Sequence, residues 1–194
     1  MEFDDALARR RMHREFSAHD VADDVIDRIV LAGFRGPSAG YTQGFECVVL
    51  RGSHKRTFFD LTQPERYGHP GLVHATAVVL PIVDEQMYID RYNEPDKVSA
   101  EMATRADWEV PFWWFDAGAA VMAILLAAAA ENVGALLYTL GTSERRVLEA
   151  FGVPAIKRCS GPVLLGTIGS TERSGSPTRR PKRPDSLRIH EGGW

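Results

Sequence analysis

The chain has 194 residues, 44% hydrophobic and 25% charged, with a formal net charge of −3 at pH 7. That composition excludes an extensively disordered chain and gives no whole-molecule reason to bind nucleic acid. The length fits a single domain over residues 1–194 with a full core. Two cysteines, Cys47 and Cys159, are too few for a disulfide framework. They read as packing residues in a reduced, cytoplasmic setting. Residues 1–15 are charged throughout and carry no signal-peptide pattern.

In chain order, residues 4–10 suit a short helix. Asp20 is placed to cap a second helix over 22–34, with Val25, Ile26, Ile29, Val30 and Phe34 on one face. Gly36-Pro37 then stops it. Residues 45–50 suit a strand, Ser53 can cap a short helix through Leu61, and 75–83 suit a second buried strand broken by Pro81. The polar stretch 84–107 suits short surface helices, or a lid carrying Tyr88 and Tyr92. Residues 112–132 suit a long alanine-rich helix, apolar on nearly every side and so buried all round, often between subunits. Its uninterrupted apolar run, residues 117–130, is too short to span a bilayer. A strand over 135–139, a helix over 143–151 capped by Thr142, and a strand over 162–168 complete the regular elements. The tail, about 170–194, has almost no apolar residues and cannot form a core of its own, so it either frays or lies along another surface. Strands interleaved irregularly with helices indicate an α+β fold.

Two segments point to chemistry. Arg9, Arg10, Arg11 and Arg14 crowd with His13 into six residues. Further on stands the small-residue turn Gly36-Pro37-Ser38-Ala39-Gly40-Tyr41-Thr42-Gln43. Guanidinium forks together with backbone N–H groups at Gly/Ser turns make a phosphate site, which suggests a phosphorylated cofactor. A dinucleotide-binding G-x-G-x-x-G and a Walker motif are both missing. His69 and His74 have no carboxylate at ligand spacing, so a zinc site is not expected. Ser38 lacks a G-x-S-x-G context for hydrolase chemistry. The acids Asp23, Asp24 and Asp27 read as a solvated helix face. Trp108, Trp113, Trp114 and Phe115 read either as interface core or as a wall that stacks a flat substrate.

Taken together, the ordered pieces resemble the FMN-dependent nitroreductase family. These are Arg10-Arg11-Met12-His13-Arg14-x-Phe16, Ala32-x-x-x-Gly36-Pro37-Ser38-Ala39-Gly40-x-x-Gln43, Asp116-Ala117-Gly118-Ala119-Ala120, Leu140-Gly141, Gly161-Pro162-Val163-Leu164-Leu165-Gly166 and Arg183-Pro184. The resemblance implies a central, mostly antiparallel sheet flanked by helices. It also implies an intertwined homodimer with two FMN sites in its interface and a tail wrapped on the partner. It places Arg10 and Arg11 at the phosphate and ribityl, Met12 beside them, and Arg14 near N1 and O2 of the isoalloxazine. Ser38, Ala39 and Gly40 would reach the flavin of the other subunit, and Pro37 and Gln43 count among the cofactor-binding residues. The Leu140 and Gly141 backbone would face N5, and Lys182 or Arg183 would close on the phosphate, with Arg179 and Arg180 equally suited by charge.

Three departures from the family pattern stand out. Met12 replaces a usual Ser. Tyr41 replaces a common Asn, and Gly44-Phe45 replaces Pro-Trp. The polar pair that often holds the flavin pyrimidine edge has no obvious counterpart among Tyr67, Gly68 and His69. The implied activity is hydride transfer from NAD(P)H through FMN to a flat electrophile such as a nitroaromatic, quinone or activated alkene. The alternatives are a biosynthetic flavoenzyme with another electron donor, and a flavin-holding protein without turnover. No membrane or nucleic-acid partner is implied.

Overall fold

The computed structural model describes residues 2–64, 68–169 and 179–193. Tyr67, Arg173 and residues 170–178 of the expected tail lie outside these. Helix α1 (Phe3–Arg9) has Asp4 and Asp5 in its first turn and Arg9 in its last, matching the helix dipole at both ends. Helix α2 (Asp23–Ala32) buries Ile26, Ile29 and Val30, the one-face spacing expected. Asp20 does not cap it. The Val21 N–H is tied to Thr76 Oγ1 at 3.0 Å, and the helix starts two residues later with acids in its first turn instead of a capping side chain. It also ends early. At Gly33, where an added Cβ would sit 3.0 Å from Ile124, it passes into a 3-10 turn over Gly33–Arg35.

Strand β1 (Phe45–Leu50) leads through α3 (Gly52–Thr62) to β2 (Ala77–Val83). Ser53 lies inside the first turn of α3 rather than capping it, since the chain turns at Gly52 with φ +53°. Pro81 does not break β2. Its carbonyl accepts from the Ser160 N–H, on the side where the neighbour of β2 changes from one strand to another, so the missing proline N–H falls at that changeover. Helix α4 (Glu85–Tyr92) is capped by Asp84, and α5 (Phe112–Ala130) follows two short 3-10 turns. Then come β3 (Gly134–Leu137), α6 (Glu144–Ala150), β4 (Arg158–Cys159) and β5 (Val163–Gly166). Thr142 sits within a 3-10 turn, Gly141–Ser143, that precedes α6, so it caps nothing. Strand β4 is too short for any sequence period to reveal. It pairs with β2 at Ile82–Val83.

The sheet order is β1-β2-β5-β3, with β4 beside β2, and every strand pair is antiparallel. Side chains alternate across β2. Val78, Leu80 and Ile82 join Phe58, Val147 and Leu148 on the α3/α6 face. Ala77 and Val79 join Ile26, Ile29, Ile124 and Leu125 on the α2/α5 face. This is an α+β fold with helices on both faces of the sheet. Helix α5 is longer than the apolar run that announced it, because its first turns add Trp113, Trp114 and Phe115 ahead of Asp116. By length and composition it could cross a membrane, yet half of that stretch is buried inside the protein. A third cluster, Val83, Tyr88, Trp108, Trp113 and Ala117, closes the end of the molecule under α4.

Candidate functional site

Arg10 ends α1, with its N–H bonded to the Ala6 carbonyl. The chain then runs extended along the open edge of β3. Met12 bridges Ala135, the His13 N–H donates to the Ala135 carbonyl at 2.8 Å, and Phe16 bridges Ile168. The arginines of this segment do not share one cavity. Arg14 lines one cavity of about 470 Å³, while Arg9, Arg10, Arg11 and His13 line a second of about 360 Å³. Residues from Leu136 onward wall the first; Asn132, Val133 and Ala135 wall the second.

The first cavity gathers Arg14, Leu140 and Gly141. It adds residues that sequence reasoning missed: Thr62, Tyr138 and Ser143. His69, from the segment that offered no obvious polar pair, lines it as well. Among the described residues no carboxylate pairs with Arg14. Gly141 has φ +52°, and an added Cβ there would meet no atom within 4 Å, so its backbone faces open space. The Tyr138 hydroxyl is buried with no hydrogen-bond partner among the described residues, and burial raises its pKa. Met12, in place of a serine, puts its sulfur 3.4 Å from the Leu137 N–H at the cavity wall.

The turn at residues 37–43 stands apart. Gly40, Tyr41 and Gln43 all have positive φ, at +62°, +56° and +56°. The Ala39 N–H and the Tyr88 hydroxyl both donate to Asp116 Oδ2, at 2.8 and 2.9 Å. Arg91 Nε donates to the Gly40 carbonyl at 2.9 Å, and the Gln43 N–H donates to Ser38 Oγ at 2.8 Å. Pro37, Ser38, Ala39, Gly40 and Gln43 line neither cavity. Lys182 and Arg183 line neither one either; Lys182 lies exposed, 4.0 Å from Asp185.

Trp108 and Trp113 are buried within this chain, packed on Tyr88, while Phe115 is 64% exposed. The segment 84–107 is therefore more than a surface connection, because its Tyr88 and Arg91 hold the turn. Both thiols are free. Burial pushes Cys47 up to about 11 and Cys159 up to about 12, which keeps them protonated.

The Nitroreductase family model matches residues 7–169, a span that includes the arginine segment, the turn and the sheet. The chain belongs to that family. The nitroreductase CinD from Lactococcus lactis, solved with chloramphenicol, superposes with a TM-score of 0.77 at 16% identity, covering 97% of this chain and 98% of that one. An FMN-dependent nitroreductase from Clostridium difficile gives 0.71 at 17% identity, covering 98% and 99%. A nitroreductase-like family protein from Bacillus cereus gives 0.71 at 13% identity, covering 99% and 97%. No curated protein matches the sequence. Family membership makes this nitroreductase-fold chain an oxidoreductase by class, and the likeness to these structures is one of fold.

Proposed function

We propose that the protein is a homodimeric FMN-dependent oxidoreductase that takes hydride from NAD(P)H and delivers electrons to a flat electrophile. The observation that carries this reading is Arg14, without a described carboxylate partner, in a largely apolar cavity beside the open backbone of Gly141. A cavity of about 470 Å³ is within the range that holds a ring system. The residues fit the flavin ring: the Arg14 cation, the open backbone of Gly141 and the Tyr138 hydroxyl line the same cavity. Bound FMN would supply hydride acceptance from the nicotinamide and donation to the second substrate at its N5.

The chain's own residues set the conditions for that chemistry. In our reading Arg14 holds positive charge at the N1 and O2 edge, where little water competes and a fixed charge acts strongly. Leu140 and Gly141 present backbone toward N5, and no side chain at Gly141 obstructs a nicotinamide or substrate ring. Arg10 and Arg11, which line the second cavity, take the phosphate and ribityl where the cofactor extends beyond the first, and Lys182 or Arg183 closes on the phosphate from outside both. Residues 37–43 serve the flavin of a second copy. A second copy is supported by α5, whose outward stripe of Phe115, Gly118 and Met122 is exposed and apolar. CinD has also been solved with 4-nitrophenol, which supports a planar aromatic as the accepting substrate here. Two packed, protonated thiols accord with a cytoplasmic setting.

The test is an anaerobic titration of the purified yellow protein with NADH and, separately, with NADPH. The flavin absorbance should bleach with one of them and return when a nitroaromatic or quinone is added. Persistence of the yellow colour under both donors removes the reductase reading.

A further inference from the structure

We propose that Asp116 is a positioning residue that presents the turn at residues 38–43 of one copy to the flavin site of the other. This rests on the FMN reading above. Asp116 sits one turn into α5, 4% exposed, and no cation pairs with it among the described residues. Burying a carboxylate is costly unless donors compensate, and an apolar side chain at this position would avoid that cost. Both of its hydrogen bonds converge on one oxygen, from the Ala39 N–H and the Tyr88 hydroxyl.

What those bonds hold is itself strained. Positive φ at Tyr41 and Gln43, neither of them glycine, persists only where surrounding structure imposes it. A second clamp acts from α4: Arg91 grips the Gly40 carbonyl and is braced in turn by Asp96 and Glu94. Tyr92 packs so closely under Gly40 that an added Cβ would lie 2.7 Å from its ring. The result is a rigid, outward turn with Tyr41 76% exposed at its tip. Neither cavity of its own chain receives it. A buried carboxyl group and a strained backbone are thus concentrated on a turn that lines neither cavity of its own chain and projects outward, which is what presentation to another copy needs. Asp116 touches neither flavin nor substrate in this scheme and acts through Ala39 and Tyr88.

Complementation between copies tests both halves of the proposal. Arg14→Ala and Asp116→Ala chains, each with a different tag, are co-expressed and the mixed dimer is purified. One site in that dimer has both defects, and the other has an intact Arg14 facing an intact turn. It should therefore hold one FMN per dimer with the wild-type visible CD, while each homodimer binds FMN about tenfold more weakly or not at all. A mixed dimer with no restored site overturns the proposal. Tyr88→Phe, which keeps the buried ring, guards against misfolding of the aspartate variant. It should weaken FMN binding roughly three- to tenfold, the loss of one ordinary hydrogen bond. Asp116→Asn, which keeps an acceptor oxygen, should fall between wild type and Asp116→Ala. Ile29→Val, buried on α2, should lower the melting temperature without moving FMN affinity or flavin CD. Wild-type affinity and CD in both Tyr88→Phe and Asp116→Ala would assign Asp116 to packing alone. Wild-type protein that takes up no FMN removes the flavin reading and this inference with it.

Discussion

The two regions drawn into the candidate site are built by different physics. The arginine segment and the β3–α6 connection are extensions of the sheet. The backbone of the arginine segment is fixed by bridges and ladder bonds at Met12, His13 and Phe16. The turn at 37–43 has no ladder. It is a strained bend held by single contacts from α4 and α5. A site assembled from one self-supporting part and one clamped part divides its vulnerabilities: the first fails with the fold, the second with its clamps.

Gly161→Ala should have the largest effect and fall on the ladder side. Gly161 has φ +128°, and an added Cβ would sit 2.6 Å from the Tyr138 carbonyl oxygen, which is backbone and cannot step aside. Overpacking and strain together put the loss near 3 kcal/mol, read as a lowered denaturation midpoint. Next come Arg14→Ala and Arg10→Ala. Each should lose about 1.5–3 kcal/mol of FMN binding, seen as apoprotein on purification, with the fold intact by CD. Equal flavin content in both variants and wild type would make these arginines solvated surface groups.

Gly40→Ala probes the clamped side more gently. Left-handed backbone with a Cβ costs about 1–2 kcal/mol, and the Tyr92 ring edge can move. Flavin affinity should fall while the melting temperature drops little. The reverse pattern would show that the turn matters for packing rather than for ligand. The smallest effect lies at the α6–β4 contact. There the Arg158 guanidinium holds the Glu144 carboxyl below its ordinary value of 4.5. A depressed carboxylate stabilises the fold above that value, and the contribution disappears as pH falls through the lower native one. Glu144→Gln should therefore flatten the acid limb of a melting-temperature profile below about pH 4.5. Arg158 is well exposed, so the difference should be only about 0.5 kcal/mol.

Much of this architecture was legible in the residues. The strand at 45–50 and the long apolar helix announced themselves through period and composition, and the Arg-rich segment through charge. The cap assignments at Asp20, Ser53 and Thr142 did not survive. Capping depends on where the chain enters a helix, and distant ties such as Val21 to Thr76 set that entry. Strand β4 has two residues and exists only because β2 offers it a partner. On the site, Arg14, Leu140 and Gly141 line one cavity. Arg10 and Arg11 line another cavity, and strand alternation does not account for it, because Arg10 ends α1 and shares the parity of Arg14. Tyr88 and Arg91 were hidden in a polar stretch without period. The signal that pointed their way was Asp116, a single acid among apolar neighbours.

The segment that bears Arg14 also seals the exposed margin of β3, through the bonds of Met12 and His13 to Ala135. An unsealed border strand is a template for intermolecular pairing. Chains clipped before Phe16 would lose that cover and should be the ones that precipitate.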